Sequence, residues 1–133
     1  MELEELRKNI ETMLKDMPKI VKDFAGTEGA KILKGTIENT QKITGTLQRS
    51  WHYEVTQNPD NSCDIRIYNN VKYAAWYEKG HRIVKNGKTV GRVKGFYPLA
   101  RSVTFYRYKL ADKRSSEYLK KILAKYKVPN GGV

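Results

Sequence analysis

Few residues in this chain could do acid–base or metal chemistry, and only one pair stands at a useful spacing. Glu78 and His81 are three residues apart, which would let the two side chains touch on a helix. Such a pair could form half of a metal site or a general acid–base couple. Gly80 lies between them and predicts that any helix ends there, and a metal site needs further ligands. His52 and Cys63 could supply them only if a strand face and a loop converged, so we predict no catalytic residue, no metal and no cofactor.

Other catalytic patterns are absent from the sequence. It has no glycine loop with phosphate-binding spacing and no serine in a Gly-x-Ser-x-Gly elbow. Asp60 and Asp64 could suggest a carboxylate pair, but the first lies in a predicted turn and the second on a strand face. One cysteine excludes an intramolecular disulfide and a cysteine-based zinc site. No apolar run is long enough for a membrane span, so we expect no membrane partner.

The charge is unevenly distributed along the 133 residues. Residues 1–66 hold 10 basic and 11 acidic side chains, whereas residues 67–133 hold 16 basic and 3 acidic ones, so the net charge of +12 comes from the second half. This excess suggests a polyanion or an acidic protein surface as a neighbour, although it could also only favour solubility. Aromatic residues interleave with these cations, a combination that suits a nucleic-acid binder but is also common in cores and interfaces.

The elements that must position these residues divide one domain, residues 1–133, into four segments. Residues 1–43 are predicted to be helical, because apolar residues recur at steps of three and four. Pro18 should kink the first helix or start a new one, and Gly26 should end it. Thr27 then caps a second helix that runs to Thr40.

Residues 44–97 predict a sheet of two hairpins. Alternating strands flank a turn at residues 58–61, and Asn86-Gly87 is the strongest signal for a second hairpin. The aromatic segment 73–78 between them fits a short helix or a buried crossing. Pro98 suits the first turn of a last helix over residues 98–127, and residues 128–133 are a tail. The fold class is α+β: an antiparallel sheet packed against the N-terminal helices and a C-terminal helix.

Three blocks of sequence resemble a known family. Residues 44–51, Thr-Gly-Thr-Leu-Gln-Arg-Ser-Trp, are similar to the Thr-Gly-x-Leu-basic-x-Ser signature of the gene-product-10-like family of long-tailed phages and prophages, with Gln48 in the place of the usual basic residue. Residues 69–82 resemble the family pattern N-x-x-x-Tyr-Ala-x-x-x-Glu-x-Gly-His-Arg, and residues 95–100 resemble the entry into its last helix. The blocks occur in the family's order.

The resemblance implies a non-catalytic virion protein of the head–tail joint, assembled in the host cytoplasm. Its motif residues would have structural roles: Thr44, Gly45, Leu47, Ser50, Trp51, Tyr73, Ala74, Glu78, Gly80, His81 and Arg82. Gly45 would allow a tight turn into the first strand, Trp51 would pack under the helices, and Tyr73 with Trp76 would anchor the short element to the sheet.

The resemblance also implies partners for the chain. Copies of the chain would form a homo-oligomeric ring that contacts other joint and tail subunits. Any contact with packaged DNA would be non-specific and salt-sensitive. The candidate charges for the DNA channel or a subunit interface are Lys85, Lys88, Arg92 and Lys94. The alternatives are a small basic nucleic-acid-binding regulator and a metal-dependent nuclease or hydrolase that uses Glu78 and His81.

Overall fold

A computed structural model of the chain describes residues 1–41 and 45–130. In chain order, the elements are α1 (Leu3–Asn39), α2 (Thr46–Arg49), β1 (Trp51–Gln57), β2 (Cys63–Asn69), α3 (Ala74–Lys79), β3 (Gly80–Lys85), β4 (Lys88–Lys94), α4 (Pro98–Phe105), a π-helical turn (Tyr106–Leu110) and α5 (Ala111–Lys125). Among the described residues, no helix is both long and apolar enough to cross a membrane.

The N-terminal segment forms one helix of 37 residues, so the prediction of two helices is wrong. Pro18 lies inside α1, and its carbonyl accepts a hydrogen bond from the Gln57 side chain of β1 at 2.7 Å. Thr27 does not cap a new helix, since its hydroxyl donates to the carbonyl of Asp23 within the same helix. Tertiary contacts along α1 therefore outweigh the local breaking signals of Pro18 and Gly26.

Two other glycines of α1 allow neighbouring elements to approach closely. A Cβ atom placed on Gly29 would lie 2.8 Å from Cδ2 of Tyr53 in β1, and one placed on Gly35 would lie 2.7 Å from Oγ of Ser102 in α4. Ser102 uses that approach to donate a hydrogen bond to the carbonyl of Ile32 at 2.9 Å. The glycines that weaken α1 locally are thus the positions where the first hairpin and α4 pack against it.

The α+β class is confirmed, but the hairpins form two separate sheets of two strands each. In the first hairpin, β1 pairs with β2 in a regular antiparallel register, from Trp51 opposite Asn69 to Gln57 opposite Cys63. This hairpin packs on α1. In the second hairpin, β3 pairs with β4 and its main contact outside itself is with α3. The expected single sheet is absent from the described residues because no strand of one hairpin lies beside a strand of the other.

The C-terminal helix packs along α1. Pro98 occupies the first turn of α4, as its missing N–H predicts. Beyond the π-helical turn, α5 runs back along α1: the rings of Tyr118 and Phe24 stack with centroids 4.5 Å apart, and the Tyr126 hydroxyl donates to Asp16 at 2.7 Å. α1 and the C-terminal helix therefore form an antiparallel pair, and the first hairpin covers another part of α1.

The chain exposes more surface than a compact monomer of its mass. Its accessible surface is 9806 Å², whereas a folded monomer of 15.4 kDa is expected to expose about 7,200 Å². Among the described residues, the buried apolar side chains are Ile20, Ala25, Leu47, Trp51, Ala74, Pro98 and Ile122. Folding therefore buries a smaller share of the unfolded surface than it does in a compact monomer of this size.

Candidate functional site

The second hairpin is a basic arm that carries the four candidate charges. Its turn is formed by Asn86 and Gly87, both with positive φ (53° and 77°), which is the geometry of a tight two-residue hairpin. The register places Arg82 opposite Arg92 and Lys85 opposite Lys88. Like charges that face each other across two strands repel. Residues 80–94 contain no acidic side chain to offset this repulsion.

The same arm exposes aliphatic side chains. Val84 is 53% exposed, Val90 58% and Val93 42%, and Ile83 is 37% exposed. Side chains alternate between the two faces of a strand, so Ile83 shares one face of β3 with Lys85, and Val84 lies on the other face. Each face therefore presents both a cation and an aliphatic group to the surroundings.

Glu78, at the end of α3, caps the N-terminus of α4. Its Oε1 accepts a hydrogen bond from the backbone N–H of Ala100 at 2.8 Å, and its Oε2 accepts one from the N–H of Leu99 at 3.2 Å. A carboxylate at this place satisfies amides that have no partner within the helix and interacts favourably with the helix dipole. The second motif block is thereby joined to the third.

Two glycines allow those blocks to approach at the level of the backbone. Gly80 has a φ of +78°, and a Cβ on it would lie 2.7 Å from the backbone nitrogen of Gly95. A Cβ on Gly95 would in turn lie 2.5 Å from the backbone nitrogen of Gly80. Beside them, the N–H of Phe96 donates to the carbonyl of Tyr77 at 2.9 Å. Only residues without a side chain fit where α3 ends and β4 ends.

His81 does not pair with Glu78. Its ring stacks on Trp76 with centroids 4.7 Å apart, and its Nδ1 lies 3.0 Å from the carbonyl oxygen of Arg82. Across residues 1–41 and 45–130, no group of three or more His, Cys, Asp or Glu side chains is placed to hold a metal ion. The structure thus gives the histidine and the carboxylate separate local contacts.

The first motif block closes the C-terminal end of α1. Trp51 is 6% exposed, and its Nε1–H donates to Oγ1 of Thr40 at 2.9 Å. Gln48 donates from its side-chain amide to the carbonyl of Ile37 at 3.2 Å. An amide and a basic side chain can both donate to the last carbonyls of a helix. The Gln48 amide can therefore make the contact that a basic side chain of the resembled signature would make.

The rest of that block forms a helical turn that the sequence did not indicate. Gly45 adopts a φ of 83° and precedes α2, so it leads into a short helix before the strand. Leu47 is buried, and its carbonyl accepts a hydrogen bond from the Asn69 side chain at 2.8 Å. Ser50 follows α2 and its hydroxyl donates to the carbonyl of Thr46 at 2.7 Å. Thr44 lies outside the described residues.

The aromatic residues around α3 are more exposed than expected. Tyr73 precedes α3 and is 45% exposed, and Trp76 is 61% exposed, so its contact is the His81 ring and not a buried sheet face. Ala74 is the buried residue of this element. Tyr77 stacks on Phe96 with centroids 4.8 Å apart. The short helix is therefore packed mainly through Tyr77 and Ala74, whereas Trp76 is largely exposed.

A partly buried ion pair, which the sequence did not indicate, joins α1 to α5. Glu28 is 2% exposed, and both of its oxygens accept hydrogen bonds from Nε of Arg114 at 2.7–2.8 Å. Burial, followed by the charge of Glu28 and a hydrogen bond to it, raises the pKa of Tyr106 to about 12. A glutamate at a helix position has no distinctive sequence signal, because the same residue type usually lies on a solvated face.

A comparison with known protein families identifies the kind of protein to which this chain belongs. The family model described as "Bacteriophage HK97-gp10, putative tail-component" matches residues 4–80. This range is more than half of the 133 residues and contains the first motif block and most of the second. The chain belongs to this family. Searches of curated proteins and of solved structures found no match.

Family membership identifies this gp10-like chain as a structural protein of the phage tail-component type, and the resemblance seen in the sequence is confirmed. The matched range includes Glu78 and Gly80 and ends at Gly80. His81, Arg82 and the third block therefore lie beyond it. The second hairpin past Gly80 and the C-terminal helix also lie beyond the match, and their roles must be argued from geometry.

Proposed function

We propose that this gp10-like protein is a non-catalytic subunit of the head–tail joint of a phage or prophage particle. Several copies would assemble there into a ring around the DNA channel, next to other joint and tail subunits. The family match supports a virion location. A ring is the closed form of repeated head-to-tail contacts between identical chains.

The observation that carries this proposal is the large exposed surface. The chain exposes about 2,600 Å² more than a compact monomer of its mass. A standard interface buries about 800 Å² on each partner, and a ring subunit has two such faces. The excess area is therefore large enough for both faces of a ring subunit.

The local contacts of the candidate catalytic pair support a structural role. Glu78 caps α4, and His81 stacks on Trp76. These contacts give the carboxylate and the imidazole local structural roles that involve no reaction. Lys85, Lys88, Arg92 and Lys94 would then provide charge either for the wall of the DNA channel or for a contact with an acidic neighbouring subunit.

Deletion of the gene from an inducible phage or prophage tests the proposed function. We expect DNA-filled heads and separate tails by electron microscopy, with infectious particles restored by the gene in trans. Mass spectrometry of purified complete particles should detect the chain in several copies per virion. Normal infectious particles from the deletion strain, or particles that lack the chain, would contradict the proposal.

A small nucleic-acid-binding regulator is the second candidate, favoured by an exposed aromatic and basic groove on α4 and the π-helical turn. Phe105 and Tyr108 are 58% and 74% exposed and line this groove with Arg101 and Lys109. A salt titration of binding to DNA of different sequences separates the two functions. A regulator should bind the isolated DNA tightly and with sequence preference, whereas a channel protein should show only weak, salt-sensitive binding.

A further inference from the structure

The second hairpin is an arm whose positive charges have no acidic partner among the described residues. Residues 80–94 carry five Lys or Arg side chains and no acidic ones, and within the described chain no ion pair involves any of them. An isolated two-stranded hairpin is only marginally stable in water. Repulsion between Arg82 and Arg92, and between Lys85 and Lys88, weakens it further. An acidic partner would remove this repulsion and stabilise the arm.

The aliphatic side chains of the arm favour a protein over DNA as that partner. Val84 and Val90 are more than half exposed. Non-specific DNA contacts go mostly to phosphate and sugar, which suit the lysines but offer little apolar surface to these valines. A partner that combines acidic with apolar side chains would satisfy both kinds of group.

The N-terminal end of α1 has this composition. Residues 1–5 contain three acidic and no basic side chains. Glu2 and Glu5 are exposed and form no ion pair among the described residues, whereas Glu4 is paired with Arg7. Leu3 and Leu14 are 82% and 59% exposed. We call residues 1–14 the acidic end of α1.

The two surfaces lie at opposite ends of one molecule. The second hairpin follows α3, which lies near the C-terminal end of α1, since the Tyr77 hydroxyl accepts a hydrogen bond from the N–H of Gln41 at 2.8 Å. A helix of 37 residues is about 55 Å long, so the acidic end lies far from the arm of the same chain. A contact between them must therefore join two copies.

We propose that the second hairpin of each copy docks on the acidic end of α1 of the next copy. The contact places Lys85 and Lys88 near Glu2 and Glu5, and the exposed valines near Leu3 and Leu14. Such an interface joins two different patches, so it propagates from copy to copy and closes when the rotation allows. This inference rests on the proposed ring and names its interface.

Charge reversal on each surface tests the contact. The K85E/K88E variant and the E2K/E5K variant should each raise the dissociation constant of self-association at least about tenfold by sedimentation equilibrium, because like charges then face each other. An equimolar mixture of the two variants should restore association, since the reversed arm of one variant then meets the reversed α1 end of the other. The K120E/K121E variant, with two exposed cations of α5 reversed, is the matched control and should assemble as the wild type does.

Circular dichroism checks that each variant is folded. V84S/V90S should also weaken self-association, and by a factor that changes little with salt. A wild-type chain that stays monomeric up to millimolar concentration overturns the proposal, and so does a mixture of variants that fails to associate. Loss of DNA binding in K85E/K88E with self-association unchanged also overturns it, in favour of a channel contact. Self-association is measured without other virion proteins, so its outcome is separate from that of the gene deletion.

Discussion

The carboxylate of Glu78 accepts a hydrogen bond from the backbone amide of Ala100 at 2.8 Å, and this contact joins α3 to the start of α4. Its second oxygen accepts from the neighbouring amide, that of Leu99. The two glycines Gly80 and Gly95 bring the chain segments together at the same place. A motif glutamate that could suggest catalysis thus has the role of a helix cap supplied by a distant part of the chain.

Replacement of Glu78 by alanine should lower the free energy of unfolding by about 1 kcal/mol, the usual effect of losing an N-terminal cap. Glu78→Gln should have a smaller effect, because one acceptor oxygen remains. Urea denaturation followed by circular dichroism measures both. Glu117→Ala, which removes an exposed carboxylate from α5, is the control and should change stability little. Equal losses in Glu78→Ala and Glu117→Ala would contradict the capping role.

Local chemistry predicts several elements of this fold correctly. Alternation and turn residues indicate both hairpins, and Asn86-Gly87 forms the expected turn. Pro98 lies in the first turn of α4 as predicted. These features depend on backbone preferences of neighbouring residues, which a sequence displays directly.

Features that depend on distant contacts were not predictable in the same way. The helix α1 continues through Pro18 and Gly26 because other elements pack along it, and nothing near those residues in the sequence shows that packing. The separation of the two hairpins and the capping role of Glu78 likewise depend on how segments meet in space. For the candidate site, the sequence indicated the charge of the second hairpin but not its exposed valines, although aliphatic residues at both alternating positions of β3 were a signal.

The glycines of α1 should respond differently to alanine. A Cβ atom on Gly26 would meet no atom of another element within 4 Å, so Gly26→Ala should raise the free energy of unfolding by about 1 kcal/mol through helix propensity. At Gly29 the same methyl group would lie 2.8 Å from the Tyr53 ring, so the gain should be cancelled or reversed. Thermal unfolding of the two variants measures the difference. A similar gain at both positions would contradict the close packing of β1 on α1.

Removal of Arg114 should destabilise the chain strongly. Arg114→Ala leaves the buried carboxylate of Glu28 without its cationic partner, which should lower the free energy of unfolding by about 3 kcal/mol. Arg66→Ala removes the exposed ion pair with Glu54 and is the matched control, with an expected loss under about 1 kcal/mol. Chemical denaturation at neutral pH compares the two. Losses of the same size would mean that Glu28 finds another partner or reaches solvent.

Alkaline pH should weaken the contact between Glu28 of α1 and Tyr106 of the π-helical turn. Burial and the Glu28 carboxylate raise the pKa of its hydroxyl from an ordinary value of 10 to about 12. Between these values the unfolded chain has lost the tyrosine proton and the folded chain still holds it, so the free energy of unfolding falls as pH rises from 10 to 12. Tyr106→Phe removes this contribution and should flatten the decline in denaturation experiments across that range. Tyr108→Phe, at a 74% exposed ring of the same helical turn, should leave the decline as in the wild type, and an equal slope in Tyr106→Phe and wild type would show that Tyr106 ionises alike in both states.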